Sequence, residues 1–399
     1  MAKLKRIGDI EAANVKDVLD NQFSSSSGSF YTKKLELEFS SYYKNYNSIA
    51  FINGTATMHA ALEAAGIGVG DEVIVPPLTM AATTLAVLQA NATPIFADVD
   101  PDTFQIDPTD IRRKITENTK AVISVALYGG APKLDEIANI CAEKNLFFLE
   151  DNAECFGGIL NDIPIGCFGD AASFSFQSSK HLTSGEGGML VVRDANLADK
   201  VRSFQSLGYA GLDRKNSKID KNVIQSPNYK RHSAFGFNYR MPELCAAVAL
   251  GQVIKLNELI SARINVAKKY EEVAEKFGAI IIPQKNYSNS LNTYWTWTFK
   301  LNRNIPWDIF RSKFIQFNGK AFYGAWTLTY NEPFMKNLNL NGRQEFLTVN
   351  GLEKLRCPEC PNAEDIQPRL CQLQTNFFDE ISVTKQVNAL YKTLKDFDA

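Results

Sequence analysis

The sequence predicts an α/β fold: a large domain on a mostly parallel mixed sheet flanked by helices, then a smaller α+β domain. Three observations predict it. From residue 49 onward, short β-rich runs alternate with amphipathic stretches, as in strands joined by crossover helices. A long helical pattern then runs from about 241 to 275. The chain beyond that helix is long enough for a second, smaller core. The large domain is expected over 1–250, with a helical segment at its N-terminus, and the small one over 251–399.

Taken in order, SIAFIN (48–53) reads as a strand and TATMHAALEAAG (55–66) as a helix. DEVIVPP (71–77) is a strand, followed by a helix over TMAATTLAVLQAN (79–91). TPIFADV (93–99), KAVISVALYG (120–129) and NLFFLED (145–151) are further strands, with DEIANICAEK (135–144) helical before the last. Residues 173–176 and 187–193 are two more strands, with Lys180 in their connection. The stretch 206–234, rich in Gly, Asn, Lys and Ser, is a long polar loop, a feature more often functional or mobile than idle.

Composition narrows the function. The 399 residues are 45% hydrophobic, enough for a substantial core, and the net charge of −1 comes with no basic block. Neither nucleic acid nor an anionic membrane is expected as a partner. The start lacks an apolar signal core, and no run is long enough to span a bilayer. Seven cysteines, an odd number scattered along the chain, suit a reduced, cytoplasmic protein. CPEC (357–360) with Cys371 could suggest zinc, but a structural site wants four ligands and His59, His181 and His232 lie far upstream. No metal is expected.

Parallel sheets bind ligands at the carboxyl ends of their strands, so residues there carry the functional argument. In NGTATMHAAL, Gly54, Thr55 and Ala56 sit where a strand yields to a helix; free N–H groups and the helix dipole there suit a phosphate, although a plain cap reads the same way. Asp151 ends an apolar strand and serves either as a helix cap or as a counter-charge for a protonated ring nitrogen. Ser175 and Lys180 come next, a hydroxyl and an amine close along the chain. A partly desolvated lysine can form a Schiff base. Asn238 and Arg240, in GFNYRMPEL, precede the long helix. Together these parts describe a pyridoxal phosphate site.

At this point the chain resembles the DegT/DnrJ/EryC1/StrS sugar aminotransferases, through NGTATMHAAL, GDEVIVPPLT, PIFADVDPDTFQID, LEDNAE, GDAASFSFQSSKHLTSGEGGML and GFNYRMPELCAA. The resemblance runs from about residue 5 to the C-terminus. It implies the aspartate aminotransferase-like fold type I of pyridoxal 5'-phosphate (PLP) enzymes. By resemblance, Lys180 would hold PLP as a Schiff base, Asp151 would pair with its ring nitrogen, and Thr55, Ala56 and Ser175 would hold its phosphate. Glu154 stands where many members have a glutamine near the cofactor hydroxyl. Met80, in PPLTMAAT, replaces the aromatic residue that usually stacks on the ring. Asn238 would reach the cofactor phosphate of a partner subunit, implying a homodimer with shared active sites.

The resemblance also implies the reaction: an amino group moves from L-glutamate to a nucleotide-linked ketosugar, a 4-keto-6-deoxyhexose above all, for amino sugars of a surface polysaccharide (lipopolysaccharide O-antigen) or a glycosylated metabolite. The cofactor would alternate between PLP and its pyridoxamine form. Arg240 and the aromatic segments 293–297 and 322–326, with Tyr323 and Trp326, are candidates to contact the sugar nucleotide, as is the 206–234 loop; the aromatic residues would equally suit the small-domain core. Two alternatives are a sugar dehydratase on the same fold, in which histidine replaces the lysine, and a cofactor-binding regulator without turnover. Lys180 argues against the first, and the complete set of Lys180, Asp151 and Ser175 against the second.

Overall fold

A seven-stranded sheet occupies the first half of the chain, in the order β1-β9-β8-β5-β4-β2-β3. The computed structural model describes residues 4–21, 29–213, 215, 219–338, 345, 347, 355 and 358–398; the Ser-rich tract at 24–28 and Cys357 lie outside them. The strands of the main sheet are β1 (Asn47–Phe51), β2 (Glu72–Val75), β3 (Thr93–Phe96), β4 (Thr119–Val125) and β5 (Phe147–Asp151). After a short hairpin of β6 (Ile159–Leu160) and β7 (Ile163–Pro164), β8 (Ala171–Ser175) and β9 (Gly188–Val192) complete it. Strands β3, β2, β4, β5 and β8 are mutually parallel. Only β9 runs against its neighbours, pairing antiparallel with both β8 and β1. The carboxyl ends of β1, β2, β4, β5 and β8 therefore open on one edge.

Both faces of the sheet are buried, which is why the strands read as continuous apolar runs. Ile49, Val73, Val75, Ile123 and Leu190 point to one core, covered by the helices that come directly after β1, β2 and β9. The alternate residues Ala50, Phe174, Met189 and Val191 pack under the N-terminal helices, and Ile74, Val122 and Phe148 in a neighbouring cluster. The helices, in order, are α1 (Asp9–Asp20), α2 (Phe30–Tyr42), α3 (Gly54–Ala64), α4 (Ala82–Gln89), α5 (Pro108–Lys114), α6 (Leu134–Lys144), α7 (Ala195–Gln205) and α8 (Lys221–Gln225). Helices α5 and α6 cover the third cluster with Ile111, Leu134, Ile137 and Ile140.

The helical pattern over 241–275 proves to be two helices, α9 (Glu243–Ile254) and α10 (Leu256–Ala274), bent by 63°. No proline or glycine makes this break. Lys255 sits at the corner with φ −97° and ψ 9°, and its amine turns back to Glu11 at 2.6 Å and to the Arg6 carbonyl at 3.1 Å. Helix α10 straddles two cores: Leu256, Leu259 and Ile260 pack under the main sheet, whereas Val266, Ala267 and Tyr270 belong to a separate cluster. That cluster is built on an antiparallel sheet of β10 (Ile281–Pro283), β12 (Thr296–Leu301) and β13 (Leu370–Gln374). A two-residue strand, β11 (Ser290–Leu291), pairs with β6. Helix α11 (Trp307–Gln316) and the C-terminal helix Glu380–Asp398 complete the second unit. Among the described residues, no single helix is long and apolar enough to cross a membrane.

Candidate active site

The carboxyl edge of the main sheet and the β12–β13 unit enclose a cavity of about 720 Å³. Gly54, Thr55, Met80, Asp151, Glu154, Ser175 and Lys180 all lie on its wall, joined by Tyr323 and Trp326 from the other side. Strand topology brings these residues together across more than half the sequence.

One end of the cavity is the first turn of α3. Asn53 caps this helix in an extended conformation, its Oδ1 accepting from the Ala56 N–H at 2.8 Å. The Ala56 N–H thus serves the cap, and the residue is buried. Gly54 and Thr55 remain, with first-turn N–H groups that intrahelical bonding cannot satisfy. Strand β9 approaches this turn so closely that a Cβ at Gly188 would lie 2.4 Å from the Asn53 carbonyl oxygen. At Gly54 a Cβ would meet that of Ser175 at 3.1 Å, so the Ser175 hydroxyl is held beside the helix start.

Asp151 ends β5 and is almost wholly buried. Its Oδ2 accepts from Thr83 Oγ1 at 2.8 Å and its Oδ1 from the Ala153 N–H at 3.2 Å. Burial pushes its carboxyl above the ordinary range, against the lowering effect of Thr83, Ala153 and the Lys180 charge. Next to it, Glu150 points to the other face and is also buried. It accepts from the N–H groups of Gly166, Phe168 and Gly169 at 2.7–2.8 Å. Burial raises its proton affinity, and these donors hold it down. Glu150 thus ties down the 166–169 turn, while Asp151 faces the cavity.

Lys180 reaches the cavity from the β8–β9 connection. Its amine donates to Glu154 Oε1 at 3.0 Å and lies 4.4 Å from the centroid of the Trp295 ring. The other carboxylate oxygen of Glu154 accepts from the Tyr128 N–H at 3.0 Å, where Tyr128 takes a positive φ of 63°. Trp295 donates to the Ser179 carbonyl at 2.8 Å and stacks on Trp326 at a centroid distance of 6.1 Å. His181, beside the lysine, points into the protein and donates to the Thr293 carbonyl at 3.0 Å.

Several expectations change here. Of the aromatic segment 293–297, Trp295 lines the cavity, but Trp297 is core; both readings hold, residue by residue. No described residue of 206–234 lines this cavity. That segment folds back on itself through bridges between Tyr209 and His232 and between Ser206 and Asn238. Asn238 is exposed and, like Arg240, which bridges to Phe51, lies off the wall of its own subunit's cavity. Met80 is on the wall and half exposed. Cys360 and Cys371 are buried in different cores, and no group of His, Cys, Asp or Glu among the described residues could hold a metal ion.

Thr83, Lys320, Gln372 and Gln374 were not legible as site residues. Thr83 is the second residue of α4, in the stretch that follows β2. The others come from the second unit, whose strands carry no motif.

The donor set fits PLP. A helix N-terminus with an adjacent hydroxyl suits a phosphate, a buried carboxylate suits a protonated ring nitrogen as its counter-charge, and an amine stands in the same cavity. Sheet, site and chemistry define a PLP-dependent transaminase of fold type I. The sequence profile of the DegT/DnrJ/EryC1/StrS aminotransferase family matches residues 5–375, and the chain belongs to that family. It is 30% identical over 379 residues to the GDP-perosamine synthase of Vibrio cholerae, covering 92% of this chain and 96% of the relative. To the GDP-perosamine synthase of Escherichia coli O157:H7 it is 36% identical over 285 residues, 71% and 73% of the two chains. The crystal structure of an aminotransferase from Psychrobacter cryohalolentis superimposes over 100% of both chains, with a TM-score of 0.85 and 24% identity.

Proposed function

We propose that the protein transfers the amino group of L-glutamate to a nucleotide-linked ketosugar, a 4-keto-6-deoxyhexose, in the making of an amino sugar for a surface polysaccharide. The observation that carries the reading is the convergence of Lys180, Asp151 and the α3 N-terminus on one cavity. The names of the relatives support a sugar nucleotide as acceptor.

PLP supplies an aldehyde that captures amines and a ring that delocalises the electron pair left when the donor loses its α-proton. Gly54, Thr55 and Ser175 would hold the phosphate. Asp151, as an ionised carboxylate in a buried setting, would keep a proton on the ring nitrogen through its negative charge. Lys180 would tether the cofactor and, once released, would take the donor's α-proton and return it at the carbon that had been the cofactor's aldehyde. Glu154 is placed to exchange a proton with the Lys180 amine at 3.0 Å. Trp295, whose ring centroid lies 4.4 Å from the amine, would shield it on that side. Lys320 at the mouth, with Tyr323, gives a cation and an exposed ring suited to a nucleoside diphosphate. Incubation with L-glutamate and a panel of nucleotide-linked ketosugars, read by mass spectrometry, tests the reading; no aminated sugar from any of them would overturn it.

Asn238, exposed and off its own cavity, is read as belonging to the site of a second copy across a two-fold axis. Asn238→Ala mixed with Lys180→Ala should then regain activity after subunit exchange, one intact site per mixed dimer. No recovery despite proven exchange would refute the shared site.

A further inference from the structure

The Lys180 main-chain carbonyl accepts hydrogen bonds from two guanidinium groups, Nη2 of Arg6 and, at 3.4 Å, Nη2 of Arg263. Neither arginine is within ion-pair distance of a carboxylate among the described residues. The Nε atoms of both are buried without a partner. Burial, together with Arg6, lowers the Arg263 pKa to about 9. A fully buried guanidinium, Arg263, with a partly buried one, Arg6, beside it and no counter-charge is costly, and stability alone would favour an apolar side chain at 263. Their convergence on one neutral carbonyl, that of the lysine in the cavity, needs a different reason.

Each arginine belongs to a separate anchor. Arg6 lies on the N-terminal segment, 174 residues away. Its own carbonyl accepts from Gln252 Nε2 and from Lys255 Nζ, and Gln252 Oε1 accepts from the Thr183 N–H at 3.3 Å. The N-terminal segment and α9 thus grip the connection at both 180 and 183. On the other side, Arg263 donates to the Trp295 carbonyl at 2.9 Å and to Thr375 Oγ1 at 3.1 Å, while Trp295 donates to Ser179. The main chain at Lys180 is therefore held from two directions, and only its side chain is left to move.

We propose that Arg6 and Arg263 clamp the Lys180 carbonyl and thereby aim its amine, which makes the N-terminal segment a working part of the active site. Both are positioning residues. The proposal rests on the reading of Lys180 as the cofactor-bearing lysine. An amine that must first hold a cofactor and then shuttle a proton needs a fixed pivot, and a displacement of about 1 Å can cost on the order of a hundredfold in rate.

The test uses the cofactor-loaded Arg6→Met and Arg6→Lys proteins. Methionine keeps an apolar stem of similar length but cannot donate; lysine restores a charged donor. Arg6→Met should lower kcat for the glutamate half-reaction by about ten- to a hundredfold, with KM for glutamate little changed. It should also lower the fraction of cofactor that borohydride fixes to Lys180. Arg6→Lys should recover most of both. Wild-type kcat and labelling in Arg6→Met, with only a lower melting temperature, would make Arg6 a simple fastening and overturn the proposal. Gln252→Leu, which unties Arg6 and Thr183 from α9, should show the same split at smaller amplitude. It serves where Arg6→Met does not fold, and wild-type kcat there also overturns the clamp. A borohydride label on another lysine in the wild type would instead refute the reading of Lys180 itself.

Discussion

On the sheet side of the cavity, Asp151 is 4% exposed and Ser175 8%, each fixed at a strand end. Across from them Tyr323 is 71% exposed, and Lys320, Trp326 and Gln374 come from loops and the small sheet. The first wall consists of charged and polar groups whose positions are set by strand register and a helix start. The second is aromatic, amide and, at Lys320, cationic, and its Tyr323 ring stands largely exposed. A rigid wall can hold groups to the tolerance that proton transfer needs; an open, aromatic wall can grip a large, variable ligand. On the proposed function, this difference suits the first wall to chemistry and the second to recognition of the acceptor.

Substitutions on the sheet side should therefore lower kcat, and those opposite should raise KM for the sugar nucleotide. The largest effect is expected at Lys180. With Lys180 as both tether and proton carrier, as proposed, Lys180→Ala should cost about 10³- to 10⁴-fold in turnover, while the protein still folds. Near-normal turnover would end the assignment of chemistry to this wall.

Asp151→Asn comes next. A neutral amide cannot keep the ring nitrogen protonated, and turnover should fall by about a hundredfold. Cofactor retention, followed by visible absorbance through dialysis, should fall much less, because the phosphate contacts remain. Equal losses in both would make Asp151 a binding residue; no loss in either would make it only the partner of Thr83 and Ala153.

On the opposite wall, Trp326→Ala should raise KM for the ketosugar about tenfold, roughly 1.4 kcal/mol of lost aromatic contact, and leave the glutamate half-reaction unchanged. A fall in the glutamate half-reaction of the same size would erase the distinction between the walls.

Legibility in the sequence obeys the same division. Residues 50–190 could be read because each strand ends in a motif, and the motif residues meet at one sheet edge whatever the loops do. Gly54, Asp151 and Lys180 needed no tertiary information beyond that rule. At Ala56 a cap and a phosphate cradle look alike in the sequence, and only the structure shows Asn53 taking its N–H. The break at Lys255 was hidden because no local breaker marks it, and the Glu11 that Lys255 pairs with there is 244 positions away. Lys320 and Gln372 share no pattern with each other, and only the packing of the small sheet against the large one puts them on a wall.

The smallest expected effect lies at the seam between the walls. His181, in the connection that carries Lys180, donates from Nε2 to Thr293, which belongs to the opposite unit. The carbonyl acceptor fixes that tautomer, so Nδ1 is bare, and it is buried without a partner. Protonating it would place a second N–H, and a charge, beside Arg263, Lys180 and Arg6; burial first and these cations next hold its pKa well below the ordinary value. In the unfolded chain the imidazole titrates near 6.5. Since the folded pKa is the lower one, stability is fully present above about pH 6.5 and is lost as the pH falls below it, at up to about 1.4 kcal/mol per pH unit. Glu150 and Asp151, with raised values, act in the opposite sense at the pH where carboxylates titrate, so the measurement is a difference between proteins. His181→Gln keeps a donor for Thr293 and cannot titrate. Its melting temperature should fall less than that of the wild type between about pH 7.5 and pH 5.5, by an amount worth roughly 1 kcal/mol. Parallel curves would show that this seam does not respond to protons and that the two walls are joined without any cost at His181.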